Sequence, residues 1–246
     1  MGAIYRRELM AYFTTPIGYV FSSIFFAISG FMFVFFTFNS GTTDVTMYFS
    51  VMIVFFIVLI PLLTMKLFSE EKKMGTELVL MTSPVSLVGV VCAKFFAAFT
   101  LFAGTLGVSL TLNMISLYKV ASKQQVYRVI EKTSSMETFW GCVLGILLAG
   151  AALIAIGVFI SSLTESQMVA GIASIGAFAL LIISSIFVKY LEVEWMRNIL
   201  KAILILDRFK NFQRGIFDVT TVVYLLSVVT VFLFLTVRVY EKRRWS

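Results

Sequence analysis

The densest internal group of charged side chains lies between Lys66 and Pro84, in the sequence KLFSEEKKMGTELVLMTSP. Two acidic and two basic residues occupy positions 70–73, and Gly75 then interrupts the helical pattern. Apolar residues return after Thr76, which predicts a second short helix capped by that residue. Mixed charge followed by a compact apolar ridge fits two interpretations: a solvated loop that joins two membrane spans, or an element that docks a soluble partner.

Residues typical of catalysis and metal binding are scarce. The chain has no histidine, and its two cysteines, Cys92 and Cys142, lie far apart in apolar stretches. They form neither a CxxC pair nor a disulfide framework, so we interpret them as small packing residues. No glycine is followed by lysine, so the phosphate-binding loop GxxxxGK[ST] is absent. We therefore predict no catalytic residue, no metal site and no cofactor on this chain.

The composition indicates a membrane protein. Of the 246 residues 60% are hydrophobic and only 13% are charged, whereas a soluble domain carries roughly 25% charged residues. The net charge of +7 comes from Lys and Arg in short clusters between apolar segments, where they contact lipid headgroups. We predict a lipid-embedded chain that binds no nucleic acid.

Six segments are long and apolar enough to cross a bilayer, which needs about 20 residues of helix. In lipid a spanning segment must satisfy its own backbone hydrogen bonds, so each segment is predicted to be helical. The fold class is therefore all-α and polytopic, with a single transmembrane domain over residues 1–246. The predicted spans are 17–38, 47–65, 86–113, 139–163, 168–190 and 219–238.

Local signals mark several helix starts. Thr15 and Ser83 each place a hydroxyl before a proline, a pattern typical of an N-cap. The sequence Thr164-Glu165-Ser166-Gln167 fits a capping box, which predicts a tight turn between the fourth and fifth spans.

An amphipathic helix is predicted before the first span, over residues 1–15. Arg6 and Arg7 lie off its apolar stripe, so we expect this helix to lie in the membrane interface. The stripe consists of Tyr5, Leu9, Tyr12 and Phe13.

Two connectors are unusually long. Residues 191–218 contain two apolar rhythms with charged residues between them, which predicts two short amphipathic helices that dip into the interface. Residues 119–138 are polar and show weaker periodicity.

The count of basic residues leaves the orientation in the membrane open. Ten Lys and Arg residues fall in the segments on each side of the membrane. Tighter clustering at the span ends favours a cytoplasmic N-terminus.

The middles of the spans carry no ionisable residue. Lys94, about two turns into the third span, is interpreted as a snorkelling side chain whose amine reaches the headgroups. Ion-coupled transporters place acids or bases at mid-depth, so this pattern disfavours ion coupling.

Small residues line one face of the fourth span. At this spacing they allow close helix packing, either within one chain or between protomers. They are Gly141, Gly145, Ala149 and Ala152.

Five stretches of the sequence share features with one family of membrane proteins. They are PIGYV at 16–20, FSEEKKMGTELVLMTSPVS at 68–86, AIGVFISSLTESQMVA at 155–170, FKNFQRGIFD at 209–218 and RVYEKRRW at 238–245. Together they resemble the permease subunits of type-2 ABC exporters, most closely the gliding-motility-type branch. The EEKK-x-GT-E-L part of the second stretch is the most specific.

The resemblance implies a six-span domain of the cytoplasmic (inner) membrane with both termini cytoplasmic. It implies that residues 1–15 form a connecting helix, that 66–83 hold a coupling helix, and that 191–218 form an extracytoplasmic re-entrant helix pair. The implied contacts with an ATPase subunit are Phe68, Glu70, Glu71, Lys72, Lys73, Gly75, Thr76, Glu77, Leu78, Thr164 and Glu165. The implied extracytoplasmic gate candidates are Phe209, Phe212, Arg214, Gly215 and Asp218.

The resemblance also implies the partners. These are two cytoplasmic ABC ATPase subunits, which would carry the ATP and Mg, and a second permease copy or a related permease chain. The basic 119–138 connector is longer than expected for this branch, which leaves room for an extracytoplasmic accessory protein.

The expected function is that of an exporter permease working by alternating access and driven by ATP hydrolysis on a separate subunit. The residues agree, because the chain lacks an energy source, lacks ion-coupling groups and has one charged docking element. The alternatives are a secondary transporter or channel, and a non-transporting membrane scaffold.

Overall fold

The computed structural model describes residues 2–38, 46–76, 86–124, 136–188, 208–209, 212–213 and 218–244. Within these ranges every regular element is helical, and six helices are long and apolar enough to cross a membrane. The predicted all-α, multi-pass class is therefore confirmed. The helices are α1 (Gly2–Thr14), α2 (Pro16–Phe33), α3 (Thr46–Thr64), α4 (Ser69–Lys73), α5 (Leu87–Gln124), α6 (Met136–Leu163), α7 (Gln167–Phe187) and α8 (Val219–Arg244), and a π-helical segment, Val34–Phe38, extends α2.

Two spanning helices continue well beyond their apolar segments. The 38 residues of α5 correspond to about 57 Å, nearly twice the thickness of a hydrocarbon core of about 30 Å. The helix continues beyond the predicted end of this span at residue 113 because residues 112–124 contain no Gly or Pro and are rich in good helix formers. Helix α8 likewise runs to Arg244, and its basic last turn suits the negative end of the helix dipole.

The predicted hydroxyl caps do not form. Thr15 is the N-cap of α2, but its hydroxyl donates back to the carbonyl of Ala11 at 2.7 Å. The N-cap of α7 is Ser166 rather than Thr164, and it makes no side-chain capping bond. The tight turn between α6 and α7 is confirmed, whereas the capping box was wrong because the helix begins two residues later than that motif requires. The proposed cap at Ser83 lies outside the described residues.

Helix α1 packs along α5 and the start of α2. Three residues of the predicted apolar stripe, Tyr5, Leu9 and Tyr12, pack against the core of the bundle, whereas Phe13 is 51% exposed because it lies about 100° further round the helix. The turn into α2 is tight: a Cβ atom at Gly18 would lie 2.2 Å from the carbonyl oxygen of Tyr12. Glycine is therefore required where α2 passes α1.

Helix α6 is the centre of the bundle. Within its apolar window 67% of residues are buried, compared with 17% for α8 at the periphery. The small-residue face predicted from the sequence packs within the chain, since Ala149 and Ala152 are fully buried. The close packing continues to Gly157, where a Cβ atom would collide with Thr64 of α3. Of the two alternatives, packing inside one chain is the one observed.

A cluster of hydroxyls and one amide, here called the hydroxyl cluster, joins α2, α3 and α5. The hydroxyls of Ser29 and Tyr48 are hydrogen-bonded at 2.6 Å, and Ser109 bonds Ser29 at 2.5 Å. The amide of Asn113 donates to both Ser29 and Tyr48. All four side chains are buried, so the bonds fix the mutual register of three spans.

A candidate partner-docking end and its ion cluster

Charged and polar side chains converge at one end of the bundle, here called the docking end. It comprises α1, α4, the first turns of α5, the Thr164–Ser166 turn and the last turns of α8. The hydroxyl cluster lies towards the opposite end, since Asn113 is about 28 Å along α5 from Lys94.

Lys94 is the centre of an ion cluster that also contains Arg7, Glu8 and Glu71. The Lys94 Nζ atom lies 2.9 Å from a carboxylate oxygen of Glu71 and 3.3 Å from one of Glu8. It also donates a hydrogen bond to the carbonyl of Leu67 at 2.7 Å. The side chain is 1% exposed, so its interpretation as a snorkelling residue was wrong. Its amine is satisfied by two carboxylates and a carbonyl, and three elements of the fold meet on it.

Arg7 covers the ion cluster from outside. Its guanidinium bonds Glu8 at 2.6 Å and Glu71 at 3.1 Å, although its side chain is 56% exposed. The hydrogen bond to Glu8, more than any other contact, raises the pKa of Arg7. The two carboxylates thus share one buried and one exposed cation, and the cluster carries no net charge.

Tyr12 adds an uncharged bond beside the ion cluster. Its hydroxyl donates to the carbonyl of Leu63, near the end of α3, at 3.0 Å. Burial raises the pKa of Tyr12, so the phenol remains a neutral donor at physiological pH. Helix α1 is therefore attached to α3 and α5 by separate polar bonds.

A cavity of about 260 Å³ lies beside the ion cluster between α1 and α4. Its charged lining is balanced, with three basic and three acidic side chains. A cavity with this lining favours neither anions nor cations. The charged residues are Arg7, Lys66, Lys94, Glu8, Glu70 and Glu71.

Helix α4 is fastened to the end of α6. Lys72 donates a hydrogen bond to the carbonyl of Ser162 in the last turn of α6, where carbonyls lack helical partners. The hydroxyl of Ser161 accepts the backbone N–H of Phe68 at 3.2 Å and of Ser69 at 3.3 Å. The ammonium of Lys72 also lies 5.6 Å from the ring centre of Tyr240 in α8. These bonds place the charged segment directly against the α6–α7 turn.

Several predicted contact residues point inward. Phe68 is 1% exposed and packs on Tyr240, with ring centres 4.9 Å apart, so its prediction as a surface contact is corrected. Glu71 is engaged in the ion cluster, and Lys72 is turned towards α6. The hydroxyl of Thr164 is buried and has no hydrogen-bond partner.

The remaining predicted residues form an outward surface, here called the joint surface. Gly75 has a φ of +69°, which ends α4 as predicted and turns the chain outward. Met74, which the charge pattern did not single out, is 69% exposed at this turn. Glu70 is partly exposed and pairs with Lys66 at 3.2 Å. Glu77 and Leu78 lie outside the described residues. The joint surface consists of Lys73, Met74, Gly75, Thr76 and Glu165, all exposed.

Towards the opposite end, two of the gate candidates pack against α6. A Cβ atom at Gly145 would lie 3.0 Å from the rings of Phe209 and Phe212, and one at Gly141 would lie 3.1 Å from the carbonyl oxygen of Phe212. Both phenylalanines are buried. Asp218 caps α8: it accepts the N–H of Thr220 at 2.9 Å and the hydroxyl of Thr221 at 2.8 Å. Arg208 lies 5.4 Å from the ring centre of Tyr224, and Gln213 donates a hydrogen bond to the hydroxyl of Ser50 at 2.5 Å. Arg214, Gly215 and residues 191–207, 210–211 and 216–217 of the predicted re-entrant pair lie outside the described residues.

Neither models of known protein families nor characterised protein sequences match this chain. Evidence for its function therefore comes from its own residues and their geometry.

The partners of Lys94 were missed at the sequence level, although a signal existed. A lysine inside an apolar helix requires a counter-charge. Glu8 and Glu71 are acidic residues that flank spans on the same side, so they were available candidates. Glu8 and Glu71 lie 86 and 23 positions from Lys94 along the chain, beyond the reach of a local sequence pattern.

Proposed function

We propose that the chain is the membrane permease subunit of a type-2 ABC exporter, driven by ATP hydrolysis on a separate subunit. The observation that carries this proposal is the joint surface. Two segments about 90 residues apart meet there through the bond from Lys72 to Ser162, and each belongs to a stretch that resembles a cytoplasmic contact of such permeases.

The chemistry of the joint surface suits a protein partner. It combines a cation, Lys73, and an anion, Glu165, with an exposed flexible apolar side chain, Met74. Methionine is common at protein interfaces because it adapts to the opposing surface. The ion cluster directly beneath connects this surface to α1 and α5, so a force on α4 reaches two other helices.

The other parts of the assembly follow from this proposal. The docking end faces the cytoplasm, both termini are cytoplasmic, and the protein resides in the cell's cytoplasmic membrane. The ATPase partner supplies ATP and Mg, since this sequence has no phosphate-binding loop. Two permease domains form the working unit, either two copies or this chain with a related one. The packed segment around Phe209 and Phe212 belongs to the extracytoplasmic closure.

An ion-coupled transporter is a second candidate function. The observation in its favour is Lys94, a buried charged side chain that lines a cavity. Its partners, however, belong to α1, which precedes the first span, and to α4, at the charged end of the second span. Coupling groups of ion-driven transporters lie near the bilayer midplane. The position of the ion cluster at the docking end therefore favours mechanical attachment over ion coupling.

Reversing the charges of the joint surface tests the docking role. In the variant Lys73→Glu/Glu165→Lys, the net charge is unchanged but each charge faces the wrong partner group. We expect the ATP-hydrolysing activity that co-isolates with the tagged chain from its native membranes to fall about tenfold or more, since like charges brought together across an interface cost several kcal/mol.

The matched control is Arg238→Glu/Glu241→Arg. These exposed residues pair with each other at 2.7 Å outside the joint surface, so exchanging them preserves the pair. The control should retain the parent's activity. Equal activity in the joint-surface variant, or none in the parent, would contradict the proposed function.

A further inference from the structure

Helix α7 is held differently from the other spans. Each of its bonded serines donates to a carbonyl of its own helix: Ser174 to Ala170, Ser184 to Leu180 and Ser185 to Leu181. Among the described residues, no hydrogen bond or ion pair joins α7 to another helix. Its attachment to α3 and α6 is apolar, with Phe178 as its one large, fully buried side chain.

The other helices are tied by polar or aromatic contacts. The hydroxyl cluster joins α2, α3 and α5, and the ion cluster joins α1 and α4 to α5. Ser161 and Ser162 tie α6 to α4. Although α8 is peripheral, ring contacts hold it through Tyr240 on Phe68 and Phe232 on Phe159. Polar contacts thus join helices α1 to α6 into one unit, whereas α7, within the described part of the chain, packs against this unit through apolar contacts only.

This difference matters more in lipid than in water. Separating two apolar helix surfaces in a bilayer costs little, because lipid tails replace the lost contacts. Breaking a buried ion pair or hydrogen bond there leaves polar atoms without partners, which is costly. A helix held by apolar packing alone is therefore the one that shifts most easily.

The turn that begins α7 is also weakly secured. The hydroxyl of Thr164 is buried without a partner, and Ser166 makes no side-chain capping bond. Burying a hydroxyl without a hydrogen-bond partner is destabilising. A rearrangement of the turn that gives the Thr164 hydroxyl a partner is favourable. Side-chain hydrogen bonds from Thr164 and Ser166 therefore do not hold the turn in its present conformation.

We propose that α7 is a moving helix, which pivots at the Thr164–Ser166 turn against the unit formed by α1 to α6. The turn lies at the docking end, beside the bond between Lys72 and Ser162. A partner that presses on the joint surface through Glu165 therefore acts on the pivot itself. The mobility of α7 stands on the contacts alone, while its control by an ATPase rests on the proposed function.

Spin-label distances within the full-length chain in lipid nanodiscs test the mobility without any partner. The background is Cys92→Ala/Cys142→Ala. One pair joins α3 to α7, with nitroxides at Val54→Cys and Leu180→Cys. The matched pair joins α3 to α5, with nitroxides at Val54→Cys and Val108→Cys. All three positions are exposed, so the labels leave the core intact.

We expect the distance distribution of the α3–α7 pair to be about twice as wide as that of the α3–α5 pair, because frozen samples retain the populated positions of a moving helix. An α3–α7 distance that differs from the one in this structure, with an α3–α5 distance that agrees with it, would support the pivot equally. Equal, narrow distributions for both pairs would overturn it. Because no ATPase is present, that result would leave the proposed function untouched.

Discussion

Replacing Lys94 with methionine is expected to lower the free energy of unfolding by about 3–5 kcal/mol, the usual cost of removing one partner from a buried ion pair. Methionine fills nearly the same volume but leaves Glu8 and Glu71 facing each other with only the exposed Arg7 between them. Thermal unfolding of the purified protein in a Cys92→Ala background, followed by a thiol-reactive fluorophore that labels the buried Cys142, measures the loss.

Two controls distinguish the ion cluster from a general effect of removing a lysine. Lys73→Met removes an exposed lysine at the same end and should change stability by less than about 0.5 kcal/mol. Adding Glu8→Gln and Glu71→Gln to Lys94→Met removes the stranded charges and should recover part of the stability. If Lys94→Met unfolds at the same temperature as the parent, the ion cluster does not join α1, α4 and α5 as described.

Locking α7 to the residue that follows α3 should stop the proposed transport cycle. A Cβ atom at Gly171 would lie 3.8 Å from the Cβ of Met65. The two Cβ atoms of a natural disulfide are on average about 3.8 Å apart, so cysteines at these positions can form one. Oxidation of Met65→Cys/Gly171→Cys, in a background without Cys92 and Cys142, forms a disulfide about one and a half helical turns beyond the pivot. This second fixed point prevents α7 from turning about the pivot. We expect ATP hydrolysis by the isolated complex to fall about tenfold or more, since the cycle requires the helix to move.

The reduced form of the same double variant is the matched control, and reducing agent should restore the rate. Each single cysteine variant should be insensitive to the oxidant. A fully crosslinked complex that hydrolyses ATP at the parent's rate would exclude the pivot from the cycle. An absence of ATP hydrolysis in the reduced complex would count against the proposed function instead.

The spans could be predicted because their signal is local. About 20 apolar residues in a row are stable in a bilayer only as a helix, and the six helices that are long and apolar enough to cross one lie where hydropathy places them. The break at Gly75 was predictable for the same reason, since a glycine after a short charged helix favours the left-handed conformation seen there.

The ion cluster and the hydroxyl cluster could not be predicted from local patterns. Lys94 meets Glu8 and Glu71 across three elements, and Ser29 meets Asn113 across 84 positions of the chain. Such contacts depend on which faces the helices present to each other, and hydropathy alone leaves those faces undefined. The same reason explains why Phe68 and Lys72, charged or aromatic neighbours of a docking segment, proved to be turned inward.

Cryo-electron microscopy of the complex isolated from native membranes tests the central claim most directly. We predict two six-span permease domains with an ATPase subunit seated on each joint surface, in contact with Lys73, Met74 and Glu165. The same map should show no ATPase subunit at the opposite end of the bundle. A complex without any ATPase subunit, or one whose ATPase contacts the opposite end of the bundle, would contradict the proposed function.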